Sequence, residues 1–230
     1  MQRKIICLDF DDVITDENIF SKMISMSHNR FKGLGIGLEF LAREDNMHPK
    51  KFYKFLKKCV MLGKGLSFGN IEKIENTIGL TTGAAKTFSL LMKRDYKIII
   101  ISTNDRKIIK GFLKKNKIEK YIDHIYAAKL GVKNGKLTGK ISGDVLKGEK
   151  TGIVKNIERQ YNTKRENIIY VGDGLTDLPI MKLVGRGILF CPTSITRAEV
   201  YTDKILSRKE KDGKLFLVEK RNLMEIMKFL

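Results

Sequence analysis

An apolar run that ends in acids opens this chain: Lys4-Ile5-Ile6-Cys7-Leu8-Asp9-Phe10-Asp11-Asp12-Val13-Ile14-Thr15. The apolar part is typical of a buried parallel strand. Because side chains alternate along a strand, Asp9 and Asp11 point to the same side, about 7 Å apart. Two carboxylates placed so repel each other and are costly when half-buried, unless a cation or a proton compensates. Taken alone, this stretch also fits a strand that ends in a solvent-exposed acidic turn, and that alternative interpretation stays open.

The totals are those of a folded α/β protein. The chain has 230 residues, of which 42% are hydrophobic, enough for one large domain or a domain with an insertion. Its apolar runs are shorter than the roughly 20 residues of a membrane span, and its N-terminus lacks the long apolar core of a secretory signal. Cys7, Cys59 and Cys191 form no Cys-x-x-Cys pair. We therefore expect a cytoplasmic protein without a disulfide framework or a zinc site.

The formal net charge of +19 is the unusual global property. Such a charge can mark a nucleic-acid or other polyanion partner. However, the lysines are spread along nearly every predicted helix, with few aromatic residues between them. Solvated helix faces in a lysine-rich composition explain the charge as well, and a positive field also attracts small phosphorylated substrates. A nucleic-acid partner therefore stays possible but is not favoured.

Hydrophobic periodicity divides the chain into a helical segment and an alternating one. Residues 16–80 are predicted to be helical, with helices over 49–62 and 70–78 and a glycine-rich link at 31–38. From Thr81 onward strands and helices alternate, which predicts a mainly parallel sheet covered on both faces. The predicted strands are 96–101, 124–127, 167–171, 187–190 and 203–206, and the predicted helices are 81–92, 106–115, 149–160, one from 176, and 223–229. Asn134-Gly135 predicts a hairpin turn, and Asn104 or Asp105 is predicted to cap the helix that follows.

Polar side chains stand where the predicted strands end, which is where parallel α/β sheets carry their sites. Asp9 and Asp11 follow the first strand, Ser102 and Thr103 the second, and Asp173 and Asp177 the strand at 167–171; Lys150 opens the preceding helix. Each has an ordinary explanation when taken alone, such as a helix cap, a solvated lysine or a first-turn acid. Together they indicate one site.

The chemistry that fits these residues is phosphoryl transfer. Asp9 is the predicted nucleophile, and Asp11 the acid that protonates the leaving oxygen and then deprotonates water. Acids that meet at one spot indicate Mg²⁺, a hard cation that prefers oxygen ligands. The predicted metal site is formed by Asp9, Asp11 through its backbone carbonyl, Asp173 and, just behind them, Asp177. The predicted phosphate-binding groups are Ser102, Thr103, Lys150 and Thr176.

These residues resemble the four motifs of the haloacid dehalogenase superfamily. Asp9-Phe10-Asp11-Asp12-Val13-Ile14 resembles the first motif, Ser102 the second, Lys150 the third, and Gly172-Asp173-Gly174-Leu175-Thr176-Asp177 the fourth. The similarity covers essentially the whole chain and is greatest to the phosphoserine-phosphatase branch. It implies an α/β, Rossmann-like core with a mainly parallel sheet, formed by residues 1–15 and 81–230. It also implies a small helical cap, residues 16–80, inserted after the first strand.

The chain departs from that branch where its members recognise an amino acid. Cys59, beside Lys57 and Lys58, occupies the position of the cap arginine that binds the substrate carboxylate. The glutamate that binds the ammonium is matched only approximately, by Glu17, which lies one position early, while Asn18 is in register. Thr176 replaces an asparagine of the fourth motif. We therefore expect a Mg²⁺-dependent phosphomonoesterase for a small phosphorylated metabolite other than phosphoserine. Two alternatives stay open: a phosphotransferase such as a sugar-phosphate mutase, for which Val13 is the hint, and a phosphatase for nucleic-acid ends.

Overall fold

A computed structural model describes residues 4–19, 49–147 and 150–230, and a seven-stranded sheet forms its centre. The strands are β1 (Lys4–Leu8), β2 (Tyr96–Asp105), β3 (His124–Lys133), β4 (Lys136–Ser142), β5 (Ile168–Gly172), β6 (Arg186–Phe190) and β7 (Leu215–Val218). Their order across the sheet is β4-β3-β2-β1-β5-β6-β7. Neighbouring strands pair in parallel except for the antiparallel hairpin of β3 and β4. The prediction of a mainly parallel α/β sheet is confirmed.

Helices cover both faces of this sheet. Alternate residues of β1 enter two different cores: Ile6 and Leu8 pack on one face, Ile5 and Cys7 on the other. The α-helices are α1 (Pro49–Leu62), α2 (Phe68–Glu72), α3 (Ala84–Lys93), α4 (Arg106–Lys115), α5 (Gly152–Tyr161), α6 (Leu178–Leu183), α7 (Ser194–Thr202) and α8 (Lys204–Lys211). α3 and α4 belong to the first core, α5 and α6 to the second. Within the described residues, none of these helices combines the length and the apolar content that crossing a membrane requires.

Shorter 3₁₀ helices complete the described chain. They span Lys73–Asn76, Glu119–Tyr121, Asp144–Leu146, Arg165–Asn167 and Leu223–Phe229. The predicted helix at 70–78 is thus shared between the end of α2 and a 3₁₀ turn, and the predicted terminal helix is entirely 3₁₀.

Residues 203–206 differ from the predicted strand, whereas residues 134–135 form the predicted turn. The predicted strand at 203–206 is wrong, because the Asp203 side chain accepts hydrogen bonds from Ile205 N (3.0 Å) and Leu206 N (3.1 Å) and so caps the start of α8. The last strand is instead β7, four residues long, which the sequence pattern did not predict. The hairpin prediction is confirmed, since Asn134 (φ 49°) and Gly135 (φ 70°) both adopt the left-handed conformation that a two-residue turn requires.

The helices at 49–76 are joined to the sheet by backbone hydrogen bonds. Gly65 N donates to Leu137 O (2.8 Å), Leu137 N to Leu66 O (2.9 Å), and Phe68 N to Gly135 O (2.8 Å). Where the inserted segment begins and ends, Thr15 and Leu80 form an antiparallel bridge. The division into a core and a cap at residues 16–80 stays a prediction, and the glycine-rich link at 31–38 lies outside the described residues.

Replacing Asp105 is expected to lower the free energy of unfolding by about 2–4 kcal/mol. This buried carboxylate accepts from Lys107 N (2.8 Å), which caps α4, and from Leu130 N (2.7 Å), which ties β3 to β2 where their register shifts. Asp105→Ala therefore removes a cap and leaves a strand N–H without its partner. Urea unfolding measures the loss. Asp203→Ala, which removes a more exposed cap, is the control and should cost about 1 kcal/mol; equal losses would contradict the role of the Leu130 bond.

Candidate active site

Three carboxylates meet at the carboxyl edge of the sheet. Asp9 follows β1, while Asp173 and Asp177 follow β5, and one carboxylate oxygen from each lies within 4.8 Å of the others. The parallel register brings them together, since Leu8 pairs with Val171 and Asp9 N donates to Val171 O (2.9 Å). Asp9 is 8% exposed and Asp177 is fully buried. Such crowding of like charges needs a compensating cation.

Lys150 supplies positive charge to this cluster. Its Nζ donates to Asp9 Oδ2 (2.5 Å) and to Asp177 Oδ1 (2.9 Å), and the residue is 1% exposed. The backbone of Lys150 adopts a left-handed conformation, with φ 63°. Burial disfavours the charged form of this amine, yet the Asp177 and Asp9 carboxylates hold its pKa well above the ordinary value. Lys150 is therefore a fixed ammonium group beside Asp9.

The two acids that contact Lys150 differ in their proton affinity. Burial, followed by the charge of Asp177, raises the pKa of Asp9 well above its usual range, while Lys150 acts in the opposite direction. Burial also acts to raise the pKa of Asp177, but Lys150 and the hydrogen bonds that Asp177 accepts bring it below the ordinary value. Of the two acids, Asp177 therefore holds a proton less tightly than a free aspartate does, and Asp9 holds one more tightly.

Asp177 closes the turn after β5. Its Oδ2 accepts from Asp173 N (3.1 Å) and Gly174 N (3.2 Å), and its Oδ1 accepts from the Tyr170 hydroxyl (2.6 Å) as well as from Lys150. The turn passes so close that a Cβ on Gly172 would lie 2.4 Å from the Asp177 carboxyl carbon. Only glycine fits there, which accounts for the glycine before Asp173.

Asp11 faces the same cavity as Asp9 but is held separately. Its Oδ1 accepts from Ile19 N (3.1 Å) and its Oδ2 from the side-chain amide of Asn104 (2.6 Å). Burial raises the pKa of Asp11 to about 7, although the two hydrogen bonds act to lower it. The carboxylate lies outside the cluster of three acids. A carboxyl group that keeps its proton near neutral pH suits a general acid.

The predicted site residues surround one cleft of about 400 Å³, a volume that includes the part open to solvent. Most of those predicted line it, namely Asp9, Asp11, Thr103, Lys150, Asp173 and Thr176. Ser102 is buried within β2, which extends to Asp105 and not only to residue 101 as predicted, and its Oγ accepts from Asn104 N (3.1 Å). Asp177 contacts Lys150 through its Oδ1. The structure thus brings together at this edge all the residues that the sequence predicted for the site.

The chain between β1 and α3 contributes Asn18 and Phe52 to the cleft. Cys59 is 3% exposed and packs in a hydrophobic cluster with Phe52, Leu56 and Val60. Of the described residues that line the cleft, Lys150 is the only basic one. This wall therefore presents aromatic and amide groups to whatever lies beyond the phosphate.

Three contributors to the site were not predicted from the sequence. Asn104 binds Asp11 instead of capping α4, a task that Asp105 performs. Tyr170 stood in an apolar strand pattern and contacts Asp177. The Arg221 guanidinium donates to Asp12 Oδ1 (2.7 Å) and to Asp16 O (2.6 Å), so the chain's C-terminal part holds the loop after β1. The position of Asn104 directly after Ser102 and Thr103 was a signal from which its contact with Asp11 could have been predicted. The contacts of Tyr170 and Arg221 depend on tertiary structure.

Comparison with known proteins assigns this chain to a protein family. A family model described as haloacid dehalogenase-like hydrolase matches residues 38–182. The chain belongs to this family. The phosphoserine phosphatase of Methanocaldococcus jannaschii is 30% identical to it over 233 residues, covering 100% of this chain and 98% of that protein. That of Lactococcus lactis is 25% identical over 227 residues, covering 98% and 94%. This haloacid dehalogenase-like chain is a phosphatase, a phosphoric monoester hydrolase of the phosphoserine-phosphatase-like branch.

Solved structures share its fold over the full length. A structure titled as a substrate-bound phosphoserine phosphatase complex has a TM-score of 0.78 and 27% identity, covering 100% of this chain and 99% of that one. A structure titled as a phospho-aspartyl intermediate analogue of phosphoserine phosphatase has a TM-score of 0.77 and covers 100% of both chains. The α/β haloacid dehalogenase fold and the phosphatase class predicted from the motifs are confirmed.

Proposed function

We propose that this phosphatase is Mg²⁺-dependent, works through an aspartyl phosphate on Asp9, and acts on a small phosphorylated metabolite other than phosphoserine. The observation that carries the proposal is the placement of the Asp9 carboxylate, which lies beside the Lys150 ammonium and the Asp173 carboxylate in one cleft. A nucleophile, a cation and a set of hard oxygen ligands are what hydrolysis of a phosphate monoester requires.

The donor set fits magnesium. Carboxylate oxygens are the ligands that Mg²⁺ prefers, and one oxygen from each of Asp9, Asp173 and Asp177 lies within 4.8 Å of the others. Asp9 and Asp173 would hold the ion, with the Asp11 backbone carbonyl, while Asp177 fixes the turn that carries Asp173. When bound, the ion neutralises charge on the phosphate oxygens and keeps the anionic substrate beside an anionic nucleophile.

The chain's own residues supply the remaining chemistry. One Asp9 carboxylate oxygen attacks phosphorus, forming an acyl phosphate as the bond to the leaving oxygen breaks, and the Asp11 proton passes to that oxygen. Asp11, now ionised, takes a proton from a water molecule whose oxygen attacks the same phosphorus. The P–O bond to Asp9 breaks, which releases inorganic phosphate and regenerates the carboxylate. Lys150, Ser102 and Thr103 hold the phosphoryl oxygens.

The substrate proposal is supported by the wall of the cleft. In the phosphoserine branch, an arginine of the cap binds the substrate carboxylate; here Cys59 has that position and packs in an apolar cluster. Phe52, Asn18 and Thr176 line the cleft instead. Apart from Lys150, the described residues that line this cleft include no cation for an amino-acid carboxylate, which favours a leaving group without one.

A panel of phosphorylated metabolites tests two parts of the proposal, the substrate and the metal. The panel includes phosphoserine, and we expect another of its members to be hydrolysed faster. EDTA should abolish this phosphate release, and added Mg²⁺ should restore it. Phosphoserine as the best substrate would overturn the substrate proposal, and hydrolysis that survives EDTA would overturn the metal. Transfer of the phosphoryl group to an added sugar instead of water would support the phosphotransferase alternative.

A further inference from the structure

We propose that Tyr170 is a positioning residue for catalysis: its hydroxyl fixes Asp177 so that Lys150 stays directed at the phosphoryl group on Asp9. The inference rests on the proposed function, and it concerns a residue outside the four motifs. Tyr170 lies within β5 and is fully buried. Its hydroxyl donates a hydrogen bond of 2.6 Å to Asp177 Oδ1.

The hydrogen bonds of Asp177 show what the hydroxyl does. A carboxylate offers about four lone-pair positions. Here two backbone N–H groups occupy Oδ2, while Lys150 and Tyr170 share Oδ1. Without the Tyr170 hydroxyl, Lys150 would be the one described donor left on Oδ1, and the lysine would follow any movement of that oxygen. Tyr170 therefore holds this oxygen independently of Lys150.

This support matters most once Asp9 reacts. In the resting site, Lys150 is shared between the carboxylates of Asp9 and Asp177, with Nζ–O distances of 2.5 and 2.9 Å. When Asp9 becomes an acyl phosphate, its own negative charge is lost and the charge resides on the phosphoryl oxygens. Among the carboxylates that the structure describes, Asp177 is then the one that still bonds to Lys150. A rigid Asp177 keeps the ammonium where it can stabilise the charge of the transition state.

The Tyr170 hydroxyl is suited to act as a permanent donor. A phenol hydroxyl has a pKa of about 10 and so carries its proton at neutral pH. The phenol therefore keeps its proton, and its role is to donate a hydrogen bond, not to transfer a proton.

Tyr170→Phe tests the inference, and Tyr126→Phe is its matched control. Tyr126 lies on β3 of the same sheet, and its hydroxyl donates to Gln160 Oε1 (2.7 Å) at an exposed site. Because a hydrogen bond to a charged group is at stake, we expect kcat of Tyr170→Phe to fall roughly 10- to 100-fold. KM should change by less than about twofold, since the substrate is bound by other groups. The control should keep both constants.

Inhibitor binding separates positioning from a general loss of structure. Orthovanadate mimics the five-coordinate transition state, whereas inorganic phosphate mimics the product. By calorimetry, Tyr170→Phe should weaken vanadate binding by the same factor as kcat and leave phosphate binding unchanged. If the variant instead loses vanadate binding and phosphate binding equally and also unfolds at a lower temperature, Tyr170 has a structural role and the inference is overturned.

Analogues placed at position 170 alone guard against a cavity effect. 4-Fluorophenylalanine fills the space of the hydroxyl but cannot donate, so it should behave like phenylalanine. 3-Fluorotyrosine keeps the donor and should keep kcat within about twofold. An unchanged kcat in Tyr170→Phe overturns the inference while leaving the proposed function intact. A wild-type chain that hydrolyses no phosphate ester and binds no vanadate overturns both.

Discussion

Asp9→Asn should abolish turnover, lowering kcat by roughly 10⁴-fold or more, as removal of a catalytic nucleophile does. The amide has no charged oxygen to attack phosphorus, so the acyl phosphate cannot form. The fold should survive, because Lys150 keeps its bond to Asp177 and one of three crowded carboxylates is removed. Phosphate release at saturating substrate measures the loss, and the midpoint of thermal unfolding checks the fold.

Beryllium fluoride gives this prediction a second measurement. It adds to a reactive aspartate as a mimic of the phosphoryl group, and wild-type protein should bind it with Mg²⁺ present, whereas Asp9→Asn should not. Asp212→Asn is the control, since Asp212 pairs with Arg208 on the surface at 3.8 Å and far along the chain from the site; it should match the wild type. Turnover that persists in Asp9→Asn would end the assignment of the nucleophile.

Asp11→Asn should divide the reaction into its two halves. An asparagine cannot protonate a leaving oxygen, so hydrolysis of an alkyl phosphate should slow by about 10²–10⁴-fold. p-Nitrophenolate leaves without a proton, and its first release should therefore remain fast. The following step needs a base to activate water, which the variant also lacks. Stopped-flow absorbance should show a burst of one nitrophenolate per enzyme, followed by a slow steady state.

The phosphoenzyme left after that burst is directly measurable. Intact-protein mass spectrometry of rapidly quenched Asp11→Asn should show one added phosphoryl group, which the same treatment of Asp9→Asn should not. If the variant slows both esters equally and no burst appears, Asp11 does not act as the acid and base. Asn104→Ala, which removes a hydrogen bond of 2.6 Å to Asp11, should show a weaker form of the same behaviour.

Much of the site could be predicted because parallel strands end together. Asp9, Ser102 and Asp173 lie far apart in the sequence, yet each follows an apolar run that reads as a buried strand. In a parallel sheet those ends share one edge, so three local patterns suffice to predict one cluster. The left-handed turn at Asn134 was predictable for a similar reason, since few residue pairs accept that geometry.

Contacts that depend on the packing of distant segments left no local signal. The hydroxyl of Tyr170 adds one oxygen to an otherwise apolar strand, and the bond from Arg221 to Asp12 joins residues 209 positions apart. The error at 203–206 has a local cause. Ile205 and Leu206 resemble part of a strand in sequence, but their backbone N–H groups donate hydrogen bonds to the Asp203 side chain. This cap begins α8, which carries lysine and arginine residues.

The hydrogen bonds between the 65–68 loop and β4 also bear on solubility. β4 is the outermost strand on its side of the sheet, and an outermost strand with bare amides can recruit a strand from another molecule. The loop pairs with the first residues of β4, through the Ser67–Lys136 bridge and the bonds of Leu137 N to Leu66 O and of Gly65 N to Leu137 O. The chain between β1 and α3, which contributes Asn18 and Phe52 to the cleft, therefore also covers the start of this edge strand against pairing with another molecule.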